Sequence, residues 1–177
     1  DDCPRCKGKD KAELFAYAVT ALRDHLAKSN RTLWIWGDRM LDGAGTGMGK
    51  WEASQNGTAN SMRLAPKDVI ISDWHYSRAV PTAAQFALEG YRVVSSPWRN
   101  AEVALAQLEL IRNVRKNSTP AIASRMQGVL QTTWTGMGQF MRAYYGQEAQ
   151  QNAKEAANCF KTLFAEIRKG DSTGVLR

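Results

Sequence analysis

Four tryptophans with polar neighbours are the residues of this chain whose types and spacing are best suited to chemistry. They are Trp36, Trp74, Trp98 and Trp134. Asp38 follows the first of them closely, and the second lies within the segment Asp73-Trp74-His75-Tyr76. Carboxylate, imidazole and phenol groups form hydrogen bonds with hydroxyl and amide groups, whereas an indole ring offers a flat apolar face. Together these residue types favour a ligand that is flat and partly apolar, such as a sugar ring.

Each of these tryptophans comes near the end of a short β-rich run, and helix-like sequence separates the runs. We predict strands at 32–36, 69–72, 91–95 and 128–133. We predict helices at 10–28, 57–64, 82–89, 101–116, 120–126, 137–146 and 149–168, and a frayed tail at 171–177. Strands that alternate with helices indicate parallel βαβ units, and the strands of a parallel barrel all end on one face. The four tryptophans should therefore converge on one rim.

The length of the chain limits the fold. Its 177 residues, 44% of them hydrophobic, suffice for one domain with a core. A complete (β/α)8 barrel typically needs about 250 residues, and four strands are half of the number it contains. We therefore expect an α/β fold that is half of a TIM barrel, as a single domain spanning residues 1–177.

A half barrel would leave two strand edges open, and open edges invite pairing with another chain. We expect Val69, Ile71, Val93 and Val129 to be partly exposed in a lone monomer. The first residues of the chain look like the middle of a loop. The partner we expect is therefore a missing N-terminal half of the barrel, or a second copy of the chain through self-association.

The charge of the chain makes a nucleic-acid-binding domain one alternative, because the net charge is +7 and the pI is about 9.5. The basic residues are nevertheless scattered, and the densest runs, at 7–11 and 112–116, lie on or beside predicted helices. Phosphate binding requires a clustered basic footprint. We interpret these runs as solvated helix faces. No apolar run has the roughly 18 residues of a membrane span, so we expect neither nucleic acid nor membrane as a partner.

The cysteines offer a weak metal signal. Cys3 and Cys6 have the spacing of metal ligands, but a structural zinc site needs about four ligands. The remaining candidates, Cys159, His25 and His75, are far apart in the sequence. We favour a disulfide or a pair of free thiols, and we expect no metal and no cofactor.

A long glycine-rich connection at 41–60 is a further candidate, because long loops in compact domains are often functional. We expect its glycines to give mobility, so that Trp51 and Glu52 fold over a ligand.

Each candidate also has a plainer interpretation. The tryptophans would serve equally as packing residues, and His75 as a structural hydrogen-bond partner. Asp38 would then form a salt bridge with Arg39 or Arg99.

Several short motifs, in their order and spacing, resemble the second half of the catalytic barrel of glycoside hydrolase family 20, the β-N-acetylhexosaminidases. The motifs are Cys3-Pro4-Arg5-Cys6, Trp34-Ile35-Trp36-Gly37-Asp38, Asp73-Trp74-His75-Tyr76, Ser96-Pro97-Trp98 and Thr133-Trp134-Thr135. The resemblance covers most of the chain and is greatest to a branch of the family with an Asp-Trp-His-Tyr segment. It implies the C-terminal half of a (β/α)8 TIM barrel. It also implies a parent protein that is exported to the periplasm or secreted.

The resemblance implies a substrate-assisted retaining mechanism, in which the 2-acetamido oxygen of the sugar attacks its own anomeric carbon. In the family, tryptophans from the fifth, sixth and eighth strands wall the acetamide pocket, and these places match Trp36, Trp74 and Trp134 here. A family acidic residue that binds sugar hydroxyls has its nearest match in Asp38. An Asp-Glu pair at the end of the fourth strand supplies the general acid.

The chain departs from the family pattern in three places. It begins after the fourth strand, so we expect the Asp-Glu pair upstream, and the residues at 1–2 do not replace it. The family's Asp and Tyr after the seventh strand give way to Pro97-Trp98-Arg99-Asn100, so Tyr76 or Asp73 takes their place or the site differs. The Glu often found after the eighth-strand tryptophan is Gly136.

Two main hypotheses follow from the resemblance and the aromatic rim. One is a glycosidase acting on β-linked N-acetylhexosamine, of which this chain supplies the substrate pocket and is inactive alone. The other is a non-catalytic carbohydrate-binding protein with the same rim.

Overall fold

The chain has an α/β fold in which four parallel strands alternate with helices. The computed structural model describes residues 3–172, and side chains for residues 3–169. The strands are β1 Trp34–Trp36, β2 Ile70–Asp73, β3 Arg92–Ser95 and β4 Met126–Val129. The helices are α1 Lys11–Ala27, α2 Gly43–Thr46, α3 Ser61–Leu64, α4 Thr82–Leu88, α5 Ala101–Asn117, α6 Pro120–Arg125, α7 Met137–Tyr144 and α8 Gln151–Ser172, with a 3-10 turn at Asp38–Met40. The prediction of parallel strands alternating with helices is confirmed.

Helices α1 and α5, each of 17 residues, begin where the sequence provides caps. The carboxylate of Asp10 accepts a 2.9 Å hydrogen bond from the amide of Glu13 at the start of α1. The side chain of Asn100 accepts from the amides of Glu102 and Val103 at the start of α5. Each cap satisfies amides that have no partner within the first turn of a helix.

The strands pair in sequence order, β1–β2–β3–β4, and every pair is parallel. The register aligns Ile35 with Ile71 and Ile71 with Val93, so these side chains form one row on one face of the sheet. Trp36, one residue further, belongs to the opposite face. All four strands end at the same edge of the sheet, and the segments that follow them are therefore neighbours.

The row that contains Ile71 lies on the covered face of the sheet. Val69, Ile71 and Val93 have 0% exposure and belong to the main hydrophobic core together with residues of α1, α4 and α5. The expectation that these three are partly exposed is therefore wrong, whereas Val129 is half-buried. The helices cover this face at the two central strands, whereas Ile35 on the edge strand β1 is half-buried. The exposed side chain is instead Trp34, which lies on the other face of the edge strand β1 and is 46% exposed.

Strand β4 starts two residues earlier than predicted, at Met126, and ends at Val129. Within the strand, Gly128 has a φ of 128°, which accompanies an irregular register between β3 and β4. A local bulge of this kind shifts pairing, and only glycine adopts such a φ without strain. Beyond the strand, the amide of Leu130 still donates to the carbonyl of Ser95 at 2.9 Å. The chain therefore keeps following β3 without forming regular sheet.

The C-terminal helix α8 reaches Ser172 and overlaps the predicted frayed tail at 171–172. The rest of that predicted tail, at 173–177, and the acidic pair at 1–2 lie outside the described residues. Among the helices of residues 3–172, none combines the length and the apolar character of a membrane span.

Candidate functional site

A cavity of about 380 Å³ lies beyond the carboxyl ends of β1 and β2. It is lined by Trp36, Asp38, Arg39, Lys50, Trp51, Trp74, Tyr76 and Trp134. We call it the aromatic cavity, because five of these residues are Trp or Tyr. The first residue of the lining is the last of β1, and Trp74 directly follows β2. The parallel register is what brings these segments together.

The aromatic rings of this cavity contact one another across the sheet. The rings of Trp36 and Trp134 have centroids 6.0 Å apart, and those of Trp74 and Tyr76 are 4.9 Å apart. The indole Nε1 of Trp134 donates a 2.7 Å hydrogen bond to the hydroxyl of Tyr76. Trp36 and Trp134 remain 41% and 59% exposed, so their faces are open to a ligand.

Asp38 sits at the edge of the cavity and is already paired. Its Oδ2 accepts a 2.6 Å hydrogen bond from Nε of Arg39, as the plainer interpretation anticipated. The guanidinium of Arg39 also donates to the carbonyl oxygens of Lys50 and Trp51, at 2.7 and 3.2 Å. Arg39 thus joins the end of β1 to the glycine-rich loop. A ligand hydroxyl at Asp38 would meet a carboxylate whose orientation is fixed by its neighbour.

The glycine-rich loop is ordered by hydrogen bonds along its length. Asp42 and Ser54 form an isolated parallel bridge, and Gln55 donates to the carbonyl of Met48 at 2.8 Å. The hydroxyl of Thr58 donates to the carbonyl of Arg39 at 2.7 Å. The structure therefore presents a tethered loop, where its glycines had suggested mobility. The tether brings Trp51 to the cavity.

Asp73 and His75 lie beneath the aromatic cavity and do not line it. They are 3% and 2% exposed. The Nε2 atom of His75 lies 2.9 Å from Oγ1 of Thr82 and 3.2 Å from Oδ1 of Asp73. Its Nδ1 atom lies 3.2 Å from Oε1 of Glu52 in the glycine-rich loop. We expected Asp73 and His75 to contact a ligand directly. Their burial argues against this contact, because neither side chain reaches the surface.

The hydrogen-bond pattern favours a protonated His75. The hydroxyl of Thr82 donates its single proton to Oδ2 of Asp73 at 2.8 Å, so its oxygen accepts from Nε2 of His75. The other ring nitrogen faces the Glu52 carboxylate, which only accepts. Burial lowers the pKa of His75, but Asp73 and Glu52 outweigh burial and raise this pKa above its ordinary value of 6.5. A doubly protonated imidazolium donates to Thr82 from Nε2 and to Glu52 from Nδ1, and its charge faces Oδ1 of Asp73, which accepts no hydrogen bond.

A second cavity, of about 760 Å³, adjoins the first and shares Trp74 and Tyr76 with it. Trp98 lies in its wall, with its ring 5.4 Å from that of Tyr76 in an edge-on arrangement. The guanidinium of Arg99 stacks 4.3 Å from the centroid of the Trp98 ring. The predicted site residues therefore fall into three groups, namely the aromatic cavity, the neighbouring cavity and the buried cluster beneath them.

Several residues of this region could not be predicted from the sequence as part of the site. Thr82 and Gln107 contact His75 from α4 and α5, and the Gln107 amide donates to the His75 carbonyl at 2.7 Å. A lone Thr or Gln inside a helix pattern gives no hint of such a contact. Lys50 also lines the cavity. Its position beside Trp51 in the glycine-rich loop was the only available signal.

Other features of the structure lie apart from the strand ends. A larger cavity of about 810 Å³ is lined by α5, α6 and the start of β4, at the opposite edge of the sheet. Cys3, Cys6 and Cys159 are free thiols. Among residues 3–172, no three side chains of the metal-binding types converge in a way that could hold an ion.

No protein-family model matches this chain, and no curated protein matches it.

Proposed function

We propose that this chain is the second half of a glycoside hydrolase family 20-like barrel and supplies its substrate pocket for a β-linked N-acetylhexosamine. The four parallel strands would be the last four of eight. The aromatic cavity would receive the sugar and its acetamide group. The general acid would come from the other half of the barrel.

The observation that carries the proposal is the meeting of Trp36, Trp74, Tyr76 and Trp134 in one cavity of about 380 Å³. These residues come from three separate segments of the chain, and they meet where the strands end. Such faces suit the apolar side of a sugar ring or an acetamide methyl group. The volume of the aromatic cavity suits one monosaccharide unit better than a large planar cofactor.

The roles of individual residues follow from their contacts. The indoles of Trp36, Trp74 and Trp134 would enclose the acetamide and exclude water from it. The Tyr76 hydroxyl accepts from Trp134 and lies 3.5 Å from Oγ1 of Thr132, and on ligand binding its proton would be donated to the acetamide oxygen. This makes Tyr76, rather than the buried Asp73, the replacement for the family's acetamide-supporting residues. Asp38 would accept from a sugar hydroxyl.

In a substrate-assisted mechanism these contacts would hold the acetamide oxygen against the anomeric carbon. The carbonyl oxygen forms a bond to that carbon as the bond to the leaving oxygen breaks, and the general acid protonates the leaving group. The chain's own residues orient the acetamide and shield it. They supply no proton to the leaving group. Asp38 is the only carboxylate that lines the aromatic cavity among the described residues, and it is paired with Arg39.

The same observation favours a second candidate, a non-catalytic carbohydrate-binding protein. A cavity with one paired carboxylate is sufficient for binding and insufficient for hydrolysis. The two candidates differ in what they bind best. A catalytic pocket binds an analogue of the cyclised intermediate more tightly than the sugar itself, whereas a simple binding site does not.

The test is a titration of the purified chain with N-acetylglucosamine, followed by its intrinsic tryptophan fluorescence. Glucose, which lacks the acetamide, is the matched control ligand. We expect saturable quenching with N-acetylglucosamine and none with glucose at the same concentration. A thiazoline analogue of N-acetylglucosamine then separates the two candidates. Equal responses to both sugars, or no response to either, would reject the acetamide pocket.

A further inference from the structure

We propose that the ion pair between Glu52 and the buried His75 is a latch that holds Trp51 in place as a wall of the aromatic cavity. The word latch refers to these two side chains only. The inference rests on the proposed function, because it treats the aromatic cavity as a ligand site. In it, Glu52 and His75 are positioning residues that touch no ligand themselves.

Packing does not hold Trp51 in place, because the residue is 73% exposed. Its position is therefore set through the backbone on either side of it. On one side, Arg39 donates to the carbonyl oxygen of Lys50, the preceding residue, and to that of Trp51 itself. After it, the side chain of Glu52 turns inward, with only 18% exposure, and meets His75. An exposed aromatic ring fixed from both sides is preorganised for binding.

The other residue of the latch, His75, is held in a fixed position by its neighbours. His75 is 2% exposed, and its ring is held by Asp73 and Thr82 at the end of β2 and the start of α4. Its carbonyl accepts a 2.7 Å hydrogen bond from Gln107 of α5. The anchor thus belongs to the core of the fold, whereas Glu52 belongs to a surface loop. Their contact is the point at which the Glu52 side chain, next to Trp51, is joined to the end of β2 and the start of α4.

The latch depends on the charge of the imidazole. When His75 is neutral it keeps one proton, and that proton can stay on Nε2, which faces both Asp73 and Thr82. Nδ1 would then be a lone pair directed at the Glu52 carboxylate, which is repulsive. The other charged group near this pair is Arg78, whose Nη2 lies 3.7 Å from Oε2 of Glu52. Loss of the Nδ1 proton therefore breaks the contact between Glu52 and His75, while the other hydrogen bonds of the loop remain.

The first measurement needs no ligand. The chain is labelled with 5-fluorotryptophan, and the 19F resonance of Trp51 is identified among the six tryptophans by its loss in Trp51→Phe. In the parent protein we expect this resonance to move toward the value of a freely solvated indole as the pH rises above 6.5. In Glu52→Gln it should already have that value at low pH. Glu52→Asp should restore part of the shift.

The matched control is Glu155→Gln. Glu155 lies in the neighbouring cavity and pairs with Arg99 at 3.4 Å, so the same substitution there removes a carboxylate without touching the latch. The Trp51 resonance of this variant should follow that of the parent protein at every pH.

The second measurement is the affinity for N-acetylglucosamine at a pH below 6.5. We expect Glu52→Gln to weaken it about tenfold, the equivalent of one charge-assisted hydrogen bond, and Glu155→Gln to leave it within twofold. A Trp51 resonance in Glu52→Gln that matches the parent protein would overturn the latch. If the resonance moves as expected but the parent protein does not bind N-acetylglucosamine, the latch stands and the proposed function fails.

Discussion

The indole nitrogen of Trp134 donates a 2.7 Å hydrogen bond to the hydroxyl of Tyr76, and this bond joins the segments that follow β4 and β2. Trp134 is 59% exposed, so the bond forms at the surface of the molecule and not in its core. Its effect is on the shape of the aromatic cavity. The bond holds one indole at a defined angle to the rest of the rim.

Tyr76→Phe should therefore weaken ligand binding more than it weakens the fold. It removes the acceptor for Trp134 and the hydroxyl proton assigned to the acetamide. We expect a loss of about 1–2 kcal/mol in binding of N-acetylglucosamine, measured by calorimetry, with a change in unfolding free energy of less than about 0.5 kcal/mol. Tyr145→Phe, at a tyrosine that is 68% exposed, is the control. Unchanged affinity in Tyr76→Phe would exclude the assigned role.

Trp36→Ala should abolish most of the affinity, because it removes an open face of the cavity. A loss of about 2 kcal/mol corresponds to the burial of one large apolar side chain by the ligand. Trp34→Ala is an unusually close control, since Trp34 is on the same strand and the same face, is 46% exposed, and does not line the cavity. Both variants are titrated with N-acetylglucosamine, and their losses of affinity are compared. Equal losses would mean that the cavity is not the binding site.

His75 should make the stability of the chain depend on pH. Its pKa in the folded state is raised, so its contribution is complete below 6.5 and is lost as the pH rises through the folded-state pKa. Chemical denaturation at a series of pH values should show this loss on the alkaline side. His75→Gln should be less stable by about 3 kcal/mol at low pH and should lack that dependence, because it leaves Asp73 without its counter-charge. An identical pH profile for both proteins would contradict the assigned imidazolium.

Gly37 should not tolerate a side chain. A Cβ atom at this position would lie 2.7 Å from Cγ2 of Ile71 and 2.7 Å from Cζ of Phe86, both in the core. We expect Gly37→Ala to destabilise the fold by about 1–3 kcal/mol, measured as a shift in the denaturation midpoint. Gly49→Ala, where a Cβ atom meets nothing within 4 Å, is the control and should change stability little.

The chain should self-associate through its strand edges when no partner half is present. Strand β1 has one free edge, and Trp34 beside it is 46% exposed. Light scattering at micromolar concentration should show species larger than 19.7 kDa, and Trp34→Lys should shift them toward monomer. A monodisperse parent protein that melts cooperatively would instead show that four βα units are self-sufficient.

The sequence predicted the strands and long helices well, because their signals are local. The cap at Asp10 and the apolar spacing of α1 each operate within a few residues. The bounds of β4 were missed because they depend on pairing with β3, which is irregular near Gly128. The arrangement of the site was only partly predictable for the same reason. That the rim tryptophans meet follows from parallel strands, whereas the inward turn of Glu52 to His75 depends on how one loop folds.

Every strand of the sheet pairs with the strand that comes next along the chain. Each pairing therefore encloses one connection with its helix or helices, and the chain entropy lost on closing such a connection grows only slowly with its length. A chain leaving the ribosome can add one βα unit at a time, and no early strand has to wait for a distant partner. Under the proposed function β4 would be the eighth strand, and its edge would pair with the first strand of the other half of the barrel.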